Sequence, residues 1–349
     1  MTKLISPRNG SLQTIHTPFQ SLFYRERWQE DLEEGDKLDW DHLKSTGEDN
    51  SSPQKICFQW ETELADSAFE LSETEDFRNP LLIQTEQKTM EIGNLKADQR
   101  YYWRVNGCEP FCFVTDGAPR WIAAGGIVNV RDNGGWKTKD GMRIRQGMLF
   151  RGSEMEWQSY HDRDPSKEHH LQITEEGIRV IRKELGVRTD LDLRLAAQGW
   201  LLESPLGKDV NLQVIPLLPY YQLWEDHQEE AVKAIFELLA DPDAYPIYYH
   251  CWGGSDRAGT VAFLLEALLG VSDADMILDY EASSMACWGR RMRSSKNFSR
   301  FQERLIPYAP EGNWQERSEK YLMSCGVTPE TLQKIRDILL ESDFHFSPM

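Results

Sequence analysis

The sequence predicts two successive folds: an all-β sandwich over residues 1–118, then an α/β domain over residues 119–349 whose mostly parallel sheet is flanked by helices. Three observations predict it. Short runs in the first third alternate apolar and polar residues with a period of two, as half-buried strands do. In the remainder, strand-like and helix-like runs alternate, the pattern of a sheet with helices on its faces. One strand-like run there passes through a glycine-containing loop into an apolar helix-like run, where such sheets bind ligands.

In the first part the alternating runs fall at 56–60, 68–71, 81–85, 101–105 and 111–115, with Asn79-Pro80, Gly93-Asn94 and Asn106-Gly107 as turn residues between them. Residues 6–10 are expected to open the first strand, and 20–51 to form an acidic insertion or partly helical linker. The set Trp60, Leu95, Tyr101, Trp103, Val105 and Phe113 resembles a fibronectin type III, immunoglobulin-like sandwich, in which an early Trp packs against a Tyr near a later corner. Such a module carries no chemistry of its own; docking a protein partner, positioning substrate and shielding the catalytic domain are its three open roles.

In the second part, strands are expected at 186–193, 212–216 and 247–249. Helices are expected at 175–184, 229–240, 260–269 and 328–340, the last with a capped start at Thr328-Pro329-Glu330-Thr331.

The loop reads His250-Cys251-Trp252-Gly253-Gly254-Ser255-Asp256-Arg257. Successive backbone N–H groups in a tight loop converge into an anion-binding concavity. The helix that begins there adds its unpaired N–H groups and positive end. Gly253 and Gly254 let the chain curl without a Cβ clash, and the planar fork of Arg257 suits two phosphate oxygens. The same dipoles favour thiolate at Cys251, since helix N-termini and cations lower a thiol from its ordinary pKa near ~8.5. The loop that binds a phosphate thus also activates a nucleophile.

These residues resemble the cysteine-dependent protein tyrosine phosphatases, and more closely their bacterial branch, which carries His-Cys-x-x-Gly-Lys-Asp-Arg-Thr-Gly in this loop. Gly126, Asn129, Arg131, Asp132, Gly134 and Gly135, followed by Gly147, Arg151 and Ser153, are similar to the segments that open those catalytic domains. Asp192-Leu193-Arg194 matches a strand end, and Asp279-Tyr280-Glu281 with Ser283 a downstream helix. The resemblance spans about residues 119–342.

The resemblance implies a phosphomonoester hydrolase. Cys251 attacks phosphorus, a general acid protonates the leaving oxygen, and water hydrolyses the cysteinyl-phosphate; neither metal nor other cofactor is needed. Two carboxylates are candidates for the acid: Asp256 inside the loop, and Asp226 on a separate segment in the position of a mobile loop. His250 would hold the loop backbone. Trp252, Gly253, Gly254 and Ser255, with Arg131, Asp192, Arg194 and Tyr221, are the expected substrate-binding residues. Tyr220 and Trp224 are further candidate pocket walls, and Arg151 either lines the pocket or, like Arg131, pairs with Asp132 and other carboxylates.

Two positions depart from the family. Ala258 stands where a hydroxyl residue usually assists release of the thiolate, with Ser255 or Thr260 as substitutes. Ser255 replaces the lysine before the Asp, a charge suited to multiply phosphorylated lipids. The expected substrate is therefore phosphotyrosine in a protein, or a small phosphomonoester. A phosphoinositide or inositol phosphate is the alternative, and a phosphate-binding interaction protein with weak turnover the third reading.

Composition bounds the partners. The net charge of −18 repels nucleic acid and anionic membrane surfaces. Residues 1–118 hold 12 Lys and Arg against 22 Asp and Glu, so the first part is the more acidic for its length. No run reaches the ~18 apolar residues of a membrane span, and the amino terminus lacks the apolar stretch of a signal peptide. Six cysteines, one needed as a thiolate, suit a reducing, cytoplasmic setting; Cys57, Cys287 and Cys325 are expected to pack.

Overall fold

The computed structural model describes residues 2–28, 49–156, 171–195, 203–225, 228–287 and 289–342. The first part holds strands β1 (Lys3–Ser6) and β2 (Ser11–Gln13), helix α1 (Pro18–Trp28), and strands β3 (Ile56–Glu61), β4 (Ser67–Ser72), β5 (Leu81–Thr85), β6 (Thr89–Ile92), β7 (Arg100–Val105) and β8 (Phe111–Thr115). They form a three-stranded sheet, β1-β3-β6, and a five-stranded sheet, β2-β8-β7-β4-β5. The alternation in sequence becomes alternation in space: Ile56, Phe58 and Trp60 from one sheet meet Phe69, Trp103, Val105 and Phe113 from the other in one apolar cluster. Tyr101 belongs to that cluster, and its hydroxyl accepts a hydrogen bond from Lys96 N at 2.9 Å. Strand β5 departs from the pattern. It lies at a sheet edge with Leu81 and Leu82 exposed.

Rather than opening the first strand, Ser6 ends β1 and residues 7–10 form the turn to β2. Cys57 also differs from expectation: it sits on the outward face of β3 and is exposed.

Helix α1 begins with reciprocal bonds between Thr17 and Gln20, Thr17 N donating to Gln20 Oε1 at 3.0 Å and Gln20 N to Thr17 Oγ1 at 3.2 Å. This is a capping box with proline at the first helical position. The helix packs away from the sandwich: Phe23 and Tyr24 are buried in the main core of the α/β part, and Trp121 Nε1 donates to the Tyr24 hydroxyl at 2.5 Å.

The α/β part follows with β9 (Arg120–Trp121), β10 (Arg131–Asp132), β11 (Met142–Ile144), β12 (Leu149–Gly152), α2 (Glu175–Arg179), β13 (Thr189–Asp192), β14 (Asn211–Val214), α3 (Gln228–Leu239), β15 (Ile247–His250), α4 (Arg257–Leu268), α5 (Asp273–Ala282), α6 (Lys296–Leu305), α7 (Trp314–Ser324), α8 (Pro329–Leu339) and β16 (Leu340–Ser342). Helix α2 runs on into a wider π-type turn over Val180–Glu184. The central sheet has the order β14-β13-β15-β12-β10-β9. Strands β14, β13, β15 and β12 are parallel; β10 and β9 are antiparallel additions. Two apolar clusters, one around Ile247, Tyr249 and α4, the other around Phe150, Tyr248 and Ile181, cover its two faces. Strand β15 is thereby buried on both sides, the usual condition of a central parallel strand. Its carboxyl end delivers Cys251. Among the described residues no helix is long and apolar enough to cross a membrane.

Candidate active site

Cys251 follows the last residue of β15, and α4 starts at Arg257, so the loop 251–256 joins a central strand to a helix N-terminus. Gly254 adopts φ +67°, and a Cβ there would lie 2.3 Å from the carbonyl oxygen of Gly152. The loop is thus pressed against the end of β12, and only glycine fits. Asn129 ties it from the side, donating through Nδ2 to Gly253 O at 2.9 Å. Glu154 N donates to Trp252 O at 3.0 Å. These contacts engage loop carbonyls from outside.

A cavity of ≈ 590 Å³ opens onto the loop. Cys251, Trp252, Gly253, Asp256 and Arg257 line it, with Tyr220 as a wall. The remaining lining comes from Pro219, Tyr280, and the segment Arg290, Arg291, Ser295, Lys296 and Asn297. Those residues were not anticipated. A signal existed: no acid occurs between Glu281 and Glu303, while Arg290, Arg291, Arg293, Lys296 and Arg300 do.

Several expected substrate contacts lie elsewhere. Arg131 is fully buried, its Nε donating to Asp279 Oδ1 at 2.8 Å and its Nη1 to Asn129 Oδ1 at 2.6 Å. Arg151 is equally buried and donates to Asp279 Oδ2 at 2.7 Å. Both arginines thus pair with a carboxylate other than Asp132, which pairs with Arg120 at 3.0 Å. Arg131 therefore reaches the loop through Asn129, as a support. Asp192 and Arg194 grip one another at 2.7 Å, buried beside Glu154. Tyr221 stacks under Arg300, whose guanidinium carbon is 4.4 Å from the ring centre, and Trp224 packs on Tyr321. Gly254 and Ser255 build the loop without lining the cavity. The rival acid Asp226 lies outside the described residues.

Asp256 is held by three hydrogen bonds from two side chains. Arg291 donates to it twice, Nε to Oδ1 and Nη2 to Oδ2, both at 2.9 Å, and the Tyr220 hydroxyl donates to Oδ1. Burial pushes the Asp256 carboxyl up, but Arg291, the Tyr220 bond and Arg257 outweigh it and hold the group below the ordinary carboxylate range. Tyr220 reaches it from a left-handed backbone conformation, φ +57°, of the kind that gathers at functional sites. Its N–H donates to Thr260 Oγ1 at 3.0 Å, and that hydroxyl donates to Asp256 O at 2.8 Å. The hydroxyl of Ser255 donates to Gly253 O at 3.3 Å. Both candidate substitutes for the missing hydroxyl at Ala258 are thus engaged with loop and wall.

His250 is buried, with Nδ1 3.2 Å from Cys251 O and Nε2 3.1 Å from Asp190 Oδ1. Burial lowers the imidazole, yet Asp192 and Asp190 prevail and raise it. Beneath it, burial pushes the Glu154 carboxyl up to about 7 against the pull of Arg194. Both groups therefore keep protons in the folded state to higher pH than when unfolded. Between pH ~5 and ~8 the folded state binds more protons, so stability falls as pH rises. The depressed Asp256, Asp192 and Asp279 have delivered their contribution below that window. The thermal midpoint, followed by calorimetry, is expected to drop across this range, with Glu154 contributing up to ~3 kcal/mol. Glu154→Gln is expected to flatten the slope; a midpoint flat or rising in the native protein would contradict the account.

A family model described as the tyrosine phosphatase family matches residues 122–341. A tyrosine-protein phosphatase of Nostoc commune is 28% identical over 121 residues, which make up 29% of this chain and 41% of that protein. The chain thus spans about two-fifths of that relative's length. The solved core catalytic domain of the PP-IP phosphatase SIW14 from S. cerevisiae, in complex with citrate, is 14% identical with a TM-score of 0.30, covering 49% of this chain and 95% of its own; a likeness that slight carries no weight. With a cysteine at a strand end, a curled loop and an arginine opening the helix, all inside the matched residues, the chain belongs to the tyrosine phosphatase family.

Proposed function

We propose that this protein is a phosphomonoester hydrolase that works through a cysteinyl-phosphate on Cys251, with phosphotyrosine as its substrate. The observation that carries this is the shared lining of one cavity by Cys251, Asp256 and Arg257 at the mouth of α4. Arg257 and the loop amides neutralise the transferring phosphoryl group. The Cys251 sulfur forms a bond to phosphorus as the ester P–O bond breaks, and the leaving oxygen takes the proton of Asp256. Water then attacks phosphorus, giving its proton to the Asp256 carboxylate, and the S–P bond breaks to release phosphate. Ala258 offers no hydroxyl to the departing sulfur, so the second half-reaction is the slow one.

A specific observation favours the second reading, an inositol phosphate or phosphoinositide substrate. Arg290, Arg291 and Lys296 join Arg257 around the cavity of a chain with net charge −18. They restore, from a different segment, the positive charge that Ser255 removes from the loop. Phosphate release from a panel of phosphotyrosine peptides and soluble inositol bisphosphates decides between them. The first reading expects kcat/KM on the peptides to exceed that on the inositol phosphates by ~10-fold or more. The reverse order would establish the second reading, and no turnover of either would remove both.

The all-β part is read as a fibronectin type III-like module over residues 1–118, joined to a catalytic domain over 119–349. Support comes from its three- and five-stranded sheets and from the Tyr101 hydroxyl bonded back to Lys96. Its docking into the α/β core through α1, and the bond from Asn129 N to Ser51 Oγ at 2.8 Å, favour a role in bracing the catalytic loop. The exposed pair Leu81 and Leu82 leaves the edge strand available to a partner.

A further inference from the structure

A general acid must carry a proton when the ester bond breaks. In this structure Asp256 is clamped by a two-pronged Arg291, the arrangement that keeps a carboxylate ionised. The clamp is built. The backbone of Arg291 is fixed on both sides by Ser284, whose Oγ accepts from Arg291 N at 2.7 Å and donates to Arg291 O at 2.9 Å. Two residues on, Arg293 N donates to Glu281 Oε1 at 2.8 Å. The Arg291 side chain, whose Nη1 also donates to Gly289 O at 3.3 Å and Arg290 O at 3.4 Å, lines the same cavity as Cys251. Side-chain exposures of 20% for Arg291 and 41% for Asp256 leave the pair part-buried, with one side reached from the cavity.

We propose that Arg291 is a specificity-determining latch: a second phosphate on the substrate, next to the one being removed, draws its guanidinium off Asp256 and so frees the acid to take up a proton. This rests on the cysteinyl-phosphate reading of the site. A phosphate dianion carries more charge than the carboxylate it displaces and meets the same planar fork. Arg290 and Lys296, on the same wall, add to its pull. Once Arg291 leaves, the groups facing Asp256 are Arg257 from its own helix, the Tyr220 hydroxyl, and Tyr280 behind it, 3.4 Å from Tyr220 between hydroxyl oxygens. Burial then acts on the carboxyl with less opposition and raises its proton affinity. A substrate without a neighbouring phosphate opens the latch less often, so its leaving oxygen takes the Asp256 proton more slowly.

The test compares phenyl phosphate with benzene-1,2-bisphosphate, which differ by one neighbouring phosphate and share a leaving group that needs protonation. Native protein is expected to be phosphorylated by the bisphosphate in a single turnover ~10-fold or more faster than by phenyl phosphate. Arg291→Gln is expected to bring that ratio within ~2-fold, chiefly by speeding the single-turnover phosphorylation by phenyl phosphate. The same variant shifts the basic limb of kcat/KM for phenyl phosphate upward by about one pH unit, because activity is lost where the acid deprotonates. A native ratio near one would overturn the latch, as would a ratio or basic limb unmoved in Arg291→Gln. The native comparison reads the outcome even where the variant does not fold. Failure of the underlying reading is separately visible, since Cys251→Ser would then retain turnover of both compounds.

Discussion

Replacing Cys251 by serine is expected to lower kcat on p-nitrophenyl phosphate by ~10⁴-fold or more while the inhibition constant of inorganic phosphate changes by less than ~3-fold. The cavity, the curled loop and Arg257 do not depend on the sulfur: the loop is held by Asn129 on Gly253 and by Glu154 on Trp252. Binding therefore survives. Chemistry does not, because a serine hydroxyl at neutral pH is un-ionised, whereas a thiol is readily converted to a good nucleophile. Steady-state kinetics with a matched circular dichroism spectrum checks this. Activity within ~10-fold of native would place the nucleophile elsewhere.

The largest expected effect on stability belongs to Asp279→Ala, a loss of ~3–5 kcal/mol. Asp279 accepts from Arg131 at 2.8 Å and from Arg151 at 2.7 Å, and neither guanidinium is exposed. Burial alone pushes the Asp279 carboxyl up, but the two arginines prevail and keep it ionised. Removing it strands two positive charges in an interior that cannot solvate them. The damage also reaches the site, since Arg131 orients Asn129 and Asn129 holds the loop carbonyl of Gly253. Denaturant unfolding and phosphatase activity should fall together. A loss below ~1 kcal/mol would show that water enters this network.

What could be read in the sequence follows from how local each feature is. The curled Cys251 loop was legible because Cys251 to Arg257 is contiguous, and such a loop between a strand and a helix admits few sequences. The sandwich was legible where its strands are half-buried: Tyr101, Trp103 and Val105 point inward and the residues between do not. Leu81 and Leu82 misled, because an edge strand with exposed leucines has the composition of a core strand. Helix α1 has no apolar periodicity strong enough to announce it, though Thr17-Pro18-Phe19-Gln20 spells a capping box. Arg131 looked like a substrate contact because it lies among motif residues. Its burial against Asp279 depends on a carboxylate 148 positions away. Arg291 and Lys296 were overlooked for the same reason: a basic run resembles a solvated surface until the fold turns it onto the cavity.

The most direct measurement is a rapid acid quench of native protein turning over a radiophosphate-labelled phosphotyrosine peptide, followed by peptide mapping. Label is predicted on the peptide that contains Cys251, accumulating because Ala258 slows its hydrolysis, and absent from Cys251→Ser. Turnover at the native rate with no label on that peptide, or with label on another residue, would contradict the account.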